Sequence, residues 1–580
     1  MNLSVSSLAA WLRLSEDRIF LVLTIVVGVL AALCAVLFTL AIKATTVLLF
    51  GVSPSVLRFL LVPSLISLGT GFLLVRFFPE AVGSGVPQTE AAFHLQQGQI
   101  PGRVAFGKFL TGVLCIGSGH SMGREGPSVQ IGAGLASSVG RLFRLSPTRA
   151  QSLVPVAAAA ALSAAFNTPI AAVLFALEEI IGDMNAKLIG STVVASVTAV
   201  IVERSILGSS PIFHVPQYRF VHPAELIAYA ALGLVGGIVS LAFSTSLLKL
   251  RAVFLRLPAR TKMFQPAIGG VIIGVLLIFF PQVLGVGYEY VDQALNGGLL
   301  LHTMFALCLA KLVATVISYS SGNAGGIFAP SLYLGAMAGG VIGVLVHRFA
   351  PFPTGNPGAY AMVGMGTLFA GIIRAPMTSV LMIFELTDNY QVLVPLMVAN
   401  MISFWISKEY QPKPLYHALL EQDRLYLPEV GARMTTSAWR ARDIMSRDYI
   451  SIPPESTFKR ALEIVSQHPE RCFLVGNDGS FSGIITRDAI DQATRSGLTE
   501  TPITDSIIRN PAYVYPDQVI GIALERLGKN PGLLPVLARG EPRTIEGVIT
   551  SRTVIQFMEN NQPGRGGDSP NIRTTTVENH

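Results

Sequence analysis

Charged side chains are scarce in this chain of 580 residues: they make up 13% of it, whereas 51% of the residues are hydrophobic. Soluble globular proteins carry about 25% charged residues. The deficit is confined to residues 19–406, where long apolar runs follow one another, and charge returns from about Lys408. This pattern excludes an ordinary soluble protein and predicts a membrane domain followed by a soluble C-terminal part.

Cysteine is also rare. The four cysteines lie far apart and show neither metal-ligand spacing nor a disulfide framework, and the nine histidines do not cluster. We therefore expect no metal site. The net charge of +7 is modest and no basic stripe with interleaved aromatic residues occurs, so no nucleic-acid partner is expected.

Many apolar segments are long enough to cross a bilayer at about 1.5 Å per residue. The clearest is 156–177, which contains no charged residue. Further segments of this kind are 20–42, 55–75, 222–248, 265–285, 303–318, 332–346, 358–384 and 391–406. The first run is too long for a secretory signal and lacks a cleavage site. The sequence therefore predicts an all-α polytopic domain with the lipid bilayer as its partner.

The membrane part consists of two similar halves, about 18–206 and 222–408. Residues 77–85 match 279–287 at an offset of 202, residues 108–134 match 311–337 at an offset of 203, and residues 167–178 match 374–385 at an offset of 207. Chance similarity of apolar helices explains matching valines and leucines. It does not explain the matching glycines and prolines or Lys108.

Loop charges indicate how the halves are oriented. The segment 249–262 holds five basic residues, whereas its counterpart near 45–55 has none; 141–149 holds three arginines, whereas its counterpart 345–356 has one. Because positive loops remain on the cytoplasmic side, equivalent loops lie on opposite faces and the repeats are inverted. Inverted repeats are typical of transporters, with the substrate site near the membrane midplane.

Three segments rich in glycine and proline interrupt the apolar runs: GSGVP at 83–87, GREGP at 123–127 and GGIFAP at 325–330. Such breaks place helix N-termini inside the membrane, where unpaired amides and the helix dipole bind an anion. Small residues also serve close helix packing, but three such motifs, two of them repeat-related, favour an anion site. The motif residues singled out are Gly83, Gly85, Pro87, Gly123, Arg124, Gly126, Pro127, Gly326 and Pro330.

Glu125, in GREGP, is an ionisable residue in an apolar setting, which is costly and indicates function. A carboxylate at a helix N-terminus that binds anions can mimic the anion and be displaced by it. The alternative is a structural ion pair with Arg124. Adjacent residues of a helix do not face each other, which weakens that alternative.

Together with KPLYHALL (413–420), these three motifs resemble the four signature segments of the CLC family of chloride channels and transporters. The resemblance extends from about residue 18 to residue 420 and is specific because the four segments occur in combination. It implies the CLC fold, an all-α membrane domain of two inverted repeats with broken helices. It also implies a homodimer with one pore in each subunit.

Carried over position by position, the resemblance implies a chloride site formed by the hydroxyls of Ser84 and Tyr416 and the backbone amides of Ile327 and Phe328. It makes Glu125 the gating glutamate, whose carboxylate occupies an anion position when ionised and swings away when protonated. Members that prefer nitrate or fluoride usually lack the serine of GSGVP. The implied function is voltage-sensitive chloride transport, with chloride as the substrate ion.

The exchangers of this family carry a second glutamate on the inner side of the proton path, and that position falls on Glu179. Two carboxylates at separate depths can relay a proton, so proton-coupled chloride antiport is the expected function. A passive chloride channel on the same fold is the alternative. It would apply if Glu178 and Glu179 both lay at a helix end in water, the position we expect for Glu178. Glu90 and Lys108 are candidates for a buried supporting pair.

From about Trp439 the pattern changes to short strands and amphipathic helices, and residues 452–465 resemble residues 514–527. Two such units resemble a tandem CBS pair, an α+β module found in many CLC proteins. The positions of the usual ribose-binding aspartate hold Ala489 and Thr553, with Asp488 one residue away. An adenine nucleotide is therefore the weaker alternative to a module that dimerises or transmits conformation.

The predicted organisation has six parts, and the protein is expected in a prokaryotic plasma membrane with the CBS pair in the cytoplasm. The parts are a cytoplasmic N-terminal segment (1–17), the CLC domain (18–421), a linker (422–438), the CBS units (439–497 and 501–560) and a disordered tail (561–580). A cation transporter regulated by CBS units would need an acidic ligand cluster. An intramembrane enzyme would need a metal motif or a nucleophile pair. Neither pattern stands out.

Overall fold

A computed structural model describes residues 16–51, 54–182, 186–209, 212–213, 215–216, 218, 221–427, 439–467, 472–477, 480–509, 511–527, 532–539 and 544–560. They form two compact units, the first of which ends at Leu427. The tail 561–580, most of the linker and nearly all of the N-terminal segment lie outside the described residues. The predicted start of the linker at 422 is too early, because Gln422 still lies in a helix and Asp423 pairs with Arg251 at 2.6 Å.

In the described residues, the first unit consists of two series of eight α-helices and one closing α-helix. The first series is α1 Glu16–Phe50, α2 Val56–Arg76, α3 Val86–Leu95, α4 Gly102–Gly117, α5 Glu125–Leu142, α6 Pro147–Phe166, α7 Pro169–Phe175 and α8 Ala186–Leu207. The second series is α9 Glu225–Arg256, α10 Gln265–Phe279, α11 Tyr288–Leu295, α12 Leu301–Ser320, α13 Phe328–Phe349, α14 Pro357–Ile373, α15 Pro376–Thr387 and α16 Leu393–Tyr410, and α17 Leu415–Gln422 closes the unit. Eight of the described helical segments are long and apolar enough to cross a membrane.

Two of the predicted spans are wrong, because each consists of two helices. The segment 156–177 turns at Asn167 (φ 58°), between α6 and α7, and 358–384 turns at Arg374 (φ 68°), between α14 and α15. In both places a proline follows two residues later and begins the next helix. The residue before a proline is disfavoured in the α region, so each helix must end there.

The two halves meet at repeat-related glycines. The amide of Gly123 donates to the carbonyl of Gly326 at 2.7 Å, and the amide of Gly326 donates back to Gly123 at 2.7 Å. This antiparallel pair joins equivalent positions of the two halves, so a pseudo-two-fold axis passes between them. The predicted inverted repeats are thereby confirmed, and α5 and α13 begin on either side of the axis.

Small residues let the central helices approach each other closely. A Cβ added to Gly132 of α5 would lie 2.8 Å from the carbonyl oxygen of Ala157 in α6. At the repeat-related position, a Cβ added to Gly335 of α13 would collide with the carbonyl of Gly364 in α14. Membrane helices associate through such contacts because lipid provides no hydrophobic driving force between them.

The second unit contains two similar α+β halves. The first holds β1 Ser451–Ile452, α19 Phe458–Ser466, β2 Cys472–Asn477, β3 Ser480–Thr486 and α20 Arg487–Arg495; the second holds α21 Ile520–Leu527, β4 Leu533–Leu537, β5 Ile545–Thr550 and α22 Ser551–Asn560. In both, an antiparallel strand pair leads into a helix capped by a threonine hydroxyl. The hydroxyl of Thr486 accepts from the amide of Ala489, and that of Thr550 accepts from the amide of Thr553, each at 3.2 Å.

The start of the predicted first CBS unit packs elsewhere. A short helix, α18 Ala441–Ile444, precedes the strands, and Ala441 and Ile444 belong to the hydrophobic core of the second half. The amide of Ser446 also pairs with the carbonyl of Val548 on β5 at 2.9 Å. Residues near 441–446 therefore complete the second half, which the sequence order did not indicate.

Candidate anion site

The loop of the first motif is fixed by its glycines and by the opposite repeat. Gly83 (φ 80°) and Gly85 (φ 107°) have backbone angles that side chains with a Cβ rarely adopt. The amide of Gly83 donates to the carbonyl of Asn323 at 3.1 Å, and the amide of Gly325 donates to the carbonyl of Gly83 at 3.0 Å. Ser84 is therefore held against the loop that precedes α13.

The three motifs meet at one place. A Cβ added to Gly126 would lie 2.6 Å from the hydroxyl oxygen of Ser84, and one added to Gly326 would lie 3.1 Å from the amide nitrogen of Gly126. Only glycine fits between these backbones. The N-termini of α3, α5 and α13 consequently converge, as the motif pattern predicted.

The prolines of the motifs all lie in the first helical turn, where a missing amide hydrogen costs nothing. Pro87 is the second residue of α3, Pro127 the third of α5 and Pro330 the third of α13. The remaining amides of these turns have no acceptor within the helix. They form a set of donors around the point where the three helices begin.

Two buried hydroxyls face this point without a protein partner. Ser84 and Tyr416 are 0% exposed, and the hydroxyl of neither has a hydrogen-bond partner among the described residues. The hydroxyl of Tyr416 lies beside that of Ser84. Buried hydroxyls without partners are rare and costly in folded proteins. An anion accepting from both would satisfy them, so the residues present fit chloride as the substrate ion.

The N-terminus of α13 contributes backbone donors. Ile327 is the N-cap of α13 and Phe328 is its first residue, so their amides belong to the group without an intrahelical acceptor. The ring of Phe328 packs on those of Phe166 at 4.9 Å and Phe369 at 4.4 Å between centroids. This aromatic cluster fixes the start of the helix beside the hydroxyl pair.

Two buried lysines support the motif loops. The ammonium of Lys108 donates to the carbonyls of Ala81 (2.8 Å) and Gly83 (2.7 Å), and its repeat equivalent Lys311 donates to that of Gly285 (2.7 Å). The expected partner of Lys108 was Glu90, but the carboxylate of Glu90 instead lies 2.7 Å from the imidazole of His417. Sequence spacing alone does not distinguish a lysine that binds carbonyls from one that binds an acid.

Glu125 is the first residue of α5 and is fully buried. The hydroxyl of Tyr288 donates to its Oε1 at 2.6 Å, and its Oε2 has no hydrogen-bond partner among the described residues. Arg124 is the N-cap, so the spacing rule for helical neighbours does not apply to it, and its Nε lies 4.0 Å from Oε1 of Glu125. A second guanidinium nitrogen of Arg124 donates to the carbonyl of Ala165 at 3.1 Å.

Glu179 lies in a π-helical turn, Ala176–Ile181, which continues α7. Its side chain is buried, and one carboxylate oxygen has no hydrogen-bond partner in the described chain. Its charge interacts with those of Glu90 and Arg374, and also with Tyr416 of the hydroxyl pair. π-Helical turns are frequent at functional sites.

The expectation that Glu178 lies at a helix end in water is wrong. Its carboxylate accepts hydrogen bonds from the amide of Thr378 at 2.9 Å and from the hydroxyl of the same residue at 2.8 Å, in the first turn of α15. Two adjacent glutamates therefore have different environments: Glu178 caps a helix, and Glu179 faces the interior.

Tyr288 was not among the candidate residues. It follows Gly287 at the start of α11, the position equivalent to Val86 at the start of α3. Aligning the two halves at this loop would have placed Tyr288 near the site. Its contact with Glu125 could not have been inferred, because the two residues are 163 positions apart.

A family model described as voltage gated chloride channel matches residues 60–408 of the chain. This chain belongs to the voltage-gated chloride channel family. A second model, for the CBS domain, matches residues 441–494, so the CLC protein carries a CBS domain after its membrane unit.

Curated relatives cover most of the CLC domain. The H(+)/Cl(-) exchange transporter ClcA of Vibrio campbellii is 32% identical over 418 residues, which is 69% of this chain and 89% of that protein. The protein of the same name from Yersinia pseudotuberculosis is 32% identical over 434 residues, 72% of this chain and 90% of its own length.

Solved structures agree with the CLC fold. A slow cyanobacterial Cl-/H+ antiporter is 30% identical, with a TM-score of 0.64 over 70% of this chain and 97% of that chain. A eukaryotic CLC transporter, at 21% identity, has a TM-score of 0.64 and covers 92% of this chain and 97% of its own. The second similarity extends into the C-terminal unit and supports the fold alone.

Proposed function

We propose that this CLC protein exchanges chloride for protons across a membrane. The observation that carries the proposal is that two buried carboxylates, those of Glu125 and Glu179, each keep an oxygen without a hydrogen-bond partner among the described residues, as do the hydroxyls of Ser84 and Tyr416 at the anion site. The bacterial relatives named H(+)/Cl(-) exchange transporters support it.

In the proposed mechanism, chloride accepts hydrogen bonds from the hydroxyls of Ser84 and Tyr416 and from the amides of Ile327 and Phe328. No lysine or arginine side chain is assigned to the ion, so binding stays weak enough for release. The buried ammonium of Lys108 binds loop carbonyls instead and keeps Ser84 in place.

Glu125 acts as an internal anion at the N-terminus of α5. When ionised, its carboxylate competes with chloride for the donors there, and when protonated it leaves them to the ion. Glu179 delivers protons from the other side of the hydroxyl pair. Because the anion and the proton both need Glu125, transport of one is coupled to transport of the other.

The remaining assignments follow from the same proposal. We place the protein in a prokaryotic plasma membrane as a homodimer, with the CBS pair in the cytoplasm. Exchange of an anion for a cation moves net charge, so transport depends on voltage. We assign dimerisation or transmission of conformation to the CBS pair, because Asp488 is exposed and the hydroxyl of Thr553 donates to the carbonyl of Thr550 at 2.9 Å.

The test is uphill proton transport in chloride-loaded liposomes. External pH is followed while a chloride gradient is imposed and the voltage is clamped with potassium and valinomycin. Proton movement driven by chloride under the clamp supports exchange. Chloride flux without proton movement would establish the passive channel, and absence of chloride flux would contradict chloride transport itself.

A further inference from the structure

Among the described residues, one hydroxyl donates to the carboxylate of Glu125, and it comes from the opposite repeat. The hydroxyl of Tyr288 donates to Oε1 of Glu125 at 2.6 Å. That length is typical of a charge-assisted hydrogen bond from a hydroxyl to a carboxylate. Such a bond stabilises the carboxylate in the position that it occupies in this structure.

The donor is held in place by its surroundings. Tyr288 follows Gly287 (φ 79°), and its ring packs edge-to-face on Phe213 at 5.4 Å between centroids. The ammonium of Lys311 fixes the carbonyl of Val286 at 3.2 Å, two residues earlier. Because the ring and its loop are both fixed, the hydroxyl does not have to be ordered when it binds the carboxylate.

Among the described residues, the charged and titratable groups that face Glu125 come from three elements. They are Arg124 at the N-cap of α5, Tyr288 on α11 and Tyr416 on α17. The guanidinium of Arg124 also lies 5.9 Å from the centroid of the Tyr288 ring. Among these side chains, only Tyr288 donates a hydrogen bond to the carboxylate, at 2.6 Å, which makes it the main side-chain restraint.

The two repeats use their equivalent loops differently. The first places the hydroxyl of Ser84 at the anion site, and the equivalent residue in the second is Val286. The second instead carries its hydroxyl on Tyr288, where the first has Val86. The hydroxyl of Tyr288 that contacts Glu125 is therefore specific to the second repeat and is not inherited from a residue shared by both repeats.

We propose that Tyr288 is a positioning residue that holds the Glu125 carboxylate in competition with chloride and so sets the chloride concentration at which Glu125 is displaced. This inference rests on the proposed function. Chloride must replace the carboxylate together with its hydrogen bond, so the bond raises the concentration needed. Protons still use Glu125 itself, so Tyr288 does not determine the coupling ratio.

The experiment compares wild type, Tyr288→Phe and the control Tyr333→Phe in liposomes under voltage clamp. Tyr333 is a buried tyrosine that packs beside Gly287, and its hydroxyl faces the carbonyl of Gln282 at 3.5 Å, not Glu125. Initial chloride flux is measured against chloride concentration, varied in turn on each face. We expect Tyr288→Phe to lower the half-saturating chloride concentration about tenfold, the effect of one hydrogen bond to a charged group. The proton-to-chloride ratio should stay as in wild type, and Tyr333→Phe should change neither quantity.

A second genetic background distinguishes restraint of the Glu125 carboxylate by Tyr288 from a direct effect of Tyr288 on the ion. In Glu125→Ala, adding Tyr288→Phe should leave chloride affinity, measured by calorimetry on the purified protein, within twofold. A tenfold shift that persists there would overturn the proposal, and so would an unchanged half-saturating concentration in Tyr288→Phe alone. Wild-type protein without chloride transport would instead contradict the proposed function, and with it the positioning role of Tyr288.

Discussion

Glu178 and Glu385 cap each other's helices. The carboxylate of Glu178 accepts from the amide of Thr378 at 2.9 Å, at the start of the helix that carries Glu385. The carboxylate of Glu385 accepts from the amides of Ile170 at 3.0 Å and Ala171 at 2.7 Å, at the start of the helix that leads to Glu178. Equivalent helices of the two repeats are thus antiparallel and joined at both ends.

These caps predict a measurable contribution to stability. Glu178→Ala or Glu385→Ala should each lower the free energy of unfolding by about 1–2 kcal/mol, because each leaves first-turn amides without an acceptor. Thermal unfolding of the purified protein in detergent checks this. Glu409→Ala, on an exposed side chain near the end of α16, is the control and should stay within about 0.5 kcal/mol. Equal midpoints for all variants would show that the caps add nothing.

Replacing Glu125 should uncouple chloride transport from proton transport. Glu125→Gln cannot ionise, so proton transport should fall to the background of empty liposomes while chloride flux persists. The measurement is parallel recording of external pH and chloride under voltage clamp. Chloride-driven proton transport surviving in this variant would remove Glu125 from the proton path.

The adjacent glutamates allow a matched test of the inner proton site. Glu179→Gln should abolish proton transport and leave chloride flux unchanged, because in the proposed mechanism the carboxylate of Glu179 carries the proton. Glu178→Gln should keep the coupling ratio of wild type, since Glu178 caps α15, whereas Glu179 is buried with a carboxylate oxygen that has no hydrogen-bond partner in the described chain. If the two variants showed the reverse pattern, the roles of the pair would have to be exchanged.

The hydroxyls of Ser84 and Tyr416 should each contribute measurably to the affinity for chloride. Ser84→Ala and Tyr416→Phe should each weaken chloride binding about tenfold, as loss of one hydrogen bond to an ion predicts. Titration calorimetry on the purified protein measures this. The control is Tyr360→Phe, whose buried hydroxyl also lacks a hydrogen-bond partner in the described chain but stacks on Tyr229. A similar loss in Tyr360→Phe would point to general destabilisation.

The sequence predicted what short motifs and periodicity encode. The repeats, the three converging helix starts and the buried position of Glu125 follow from local patterns. The placement of Ser84 and Tyr416 at the site came from the resemblance to the CLC family. The turns at Asn167 and Arg374 were missed because hydropathy averages over them, although a proline follows each two residues later.

Contacts between the repeats could not be predicted. The caps of Glu178 and Glu385 join residues about 200 positions apart, and the partner of each acid is a backbone amide, which every residue has. The π-helical turn at Glu179 could not be predicted because no characteristic residue pattern marks such a turn in the sequence. The pairing of Glu90 with His417 likewise depends on where α17 returns to the site.

The hydrogen bonds from Lys108 and Lys311 to loop carbonyls affect how the two repeats can differ in sequence. Each ammonium binds backbone carbonyls, so it specifies the course of its loop and leaves the side chains there free to change. After a gene duplication, the two copies could keep one shape and acquire different chemistry. Ser84 and Tyr288 illustrate such a difference. The hydroxyl of Ser84, in one copy, has no hydrogen-bond partner among the described residues, and the hydroxyl of Tyr288, in the other, donates to Glu125.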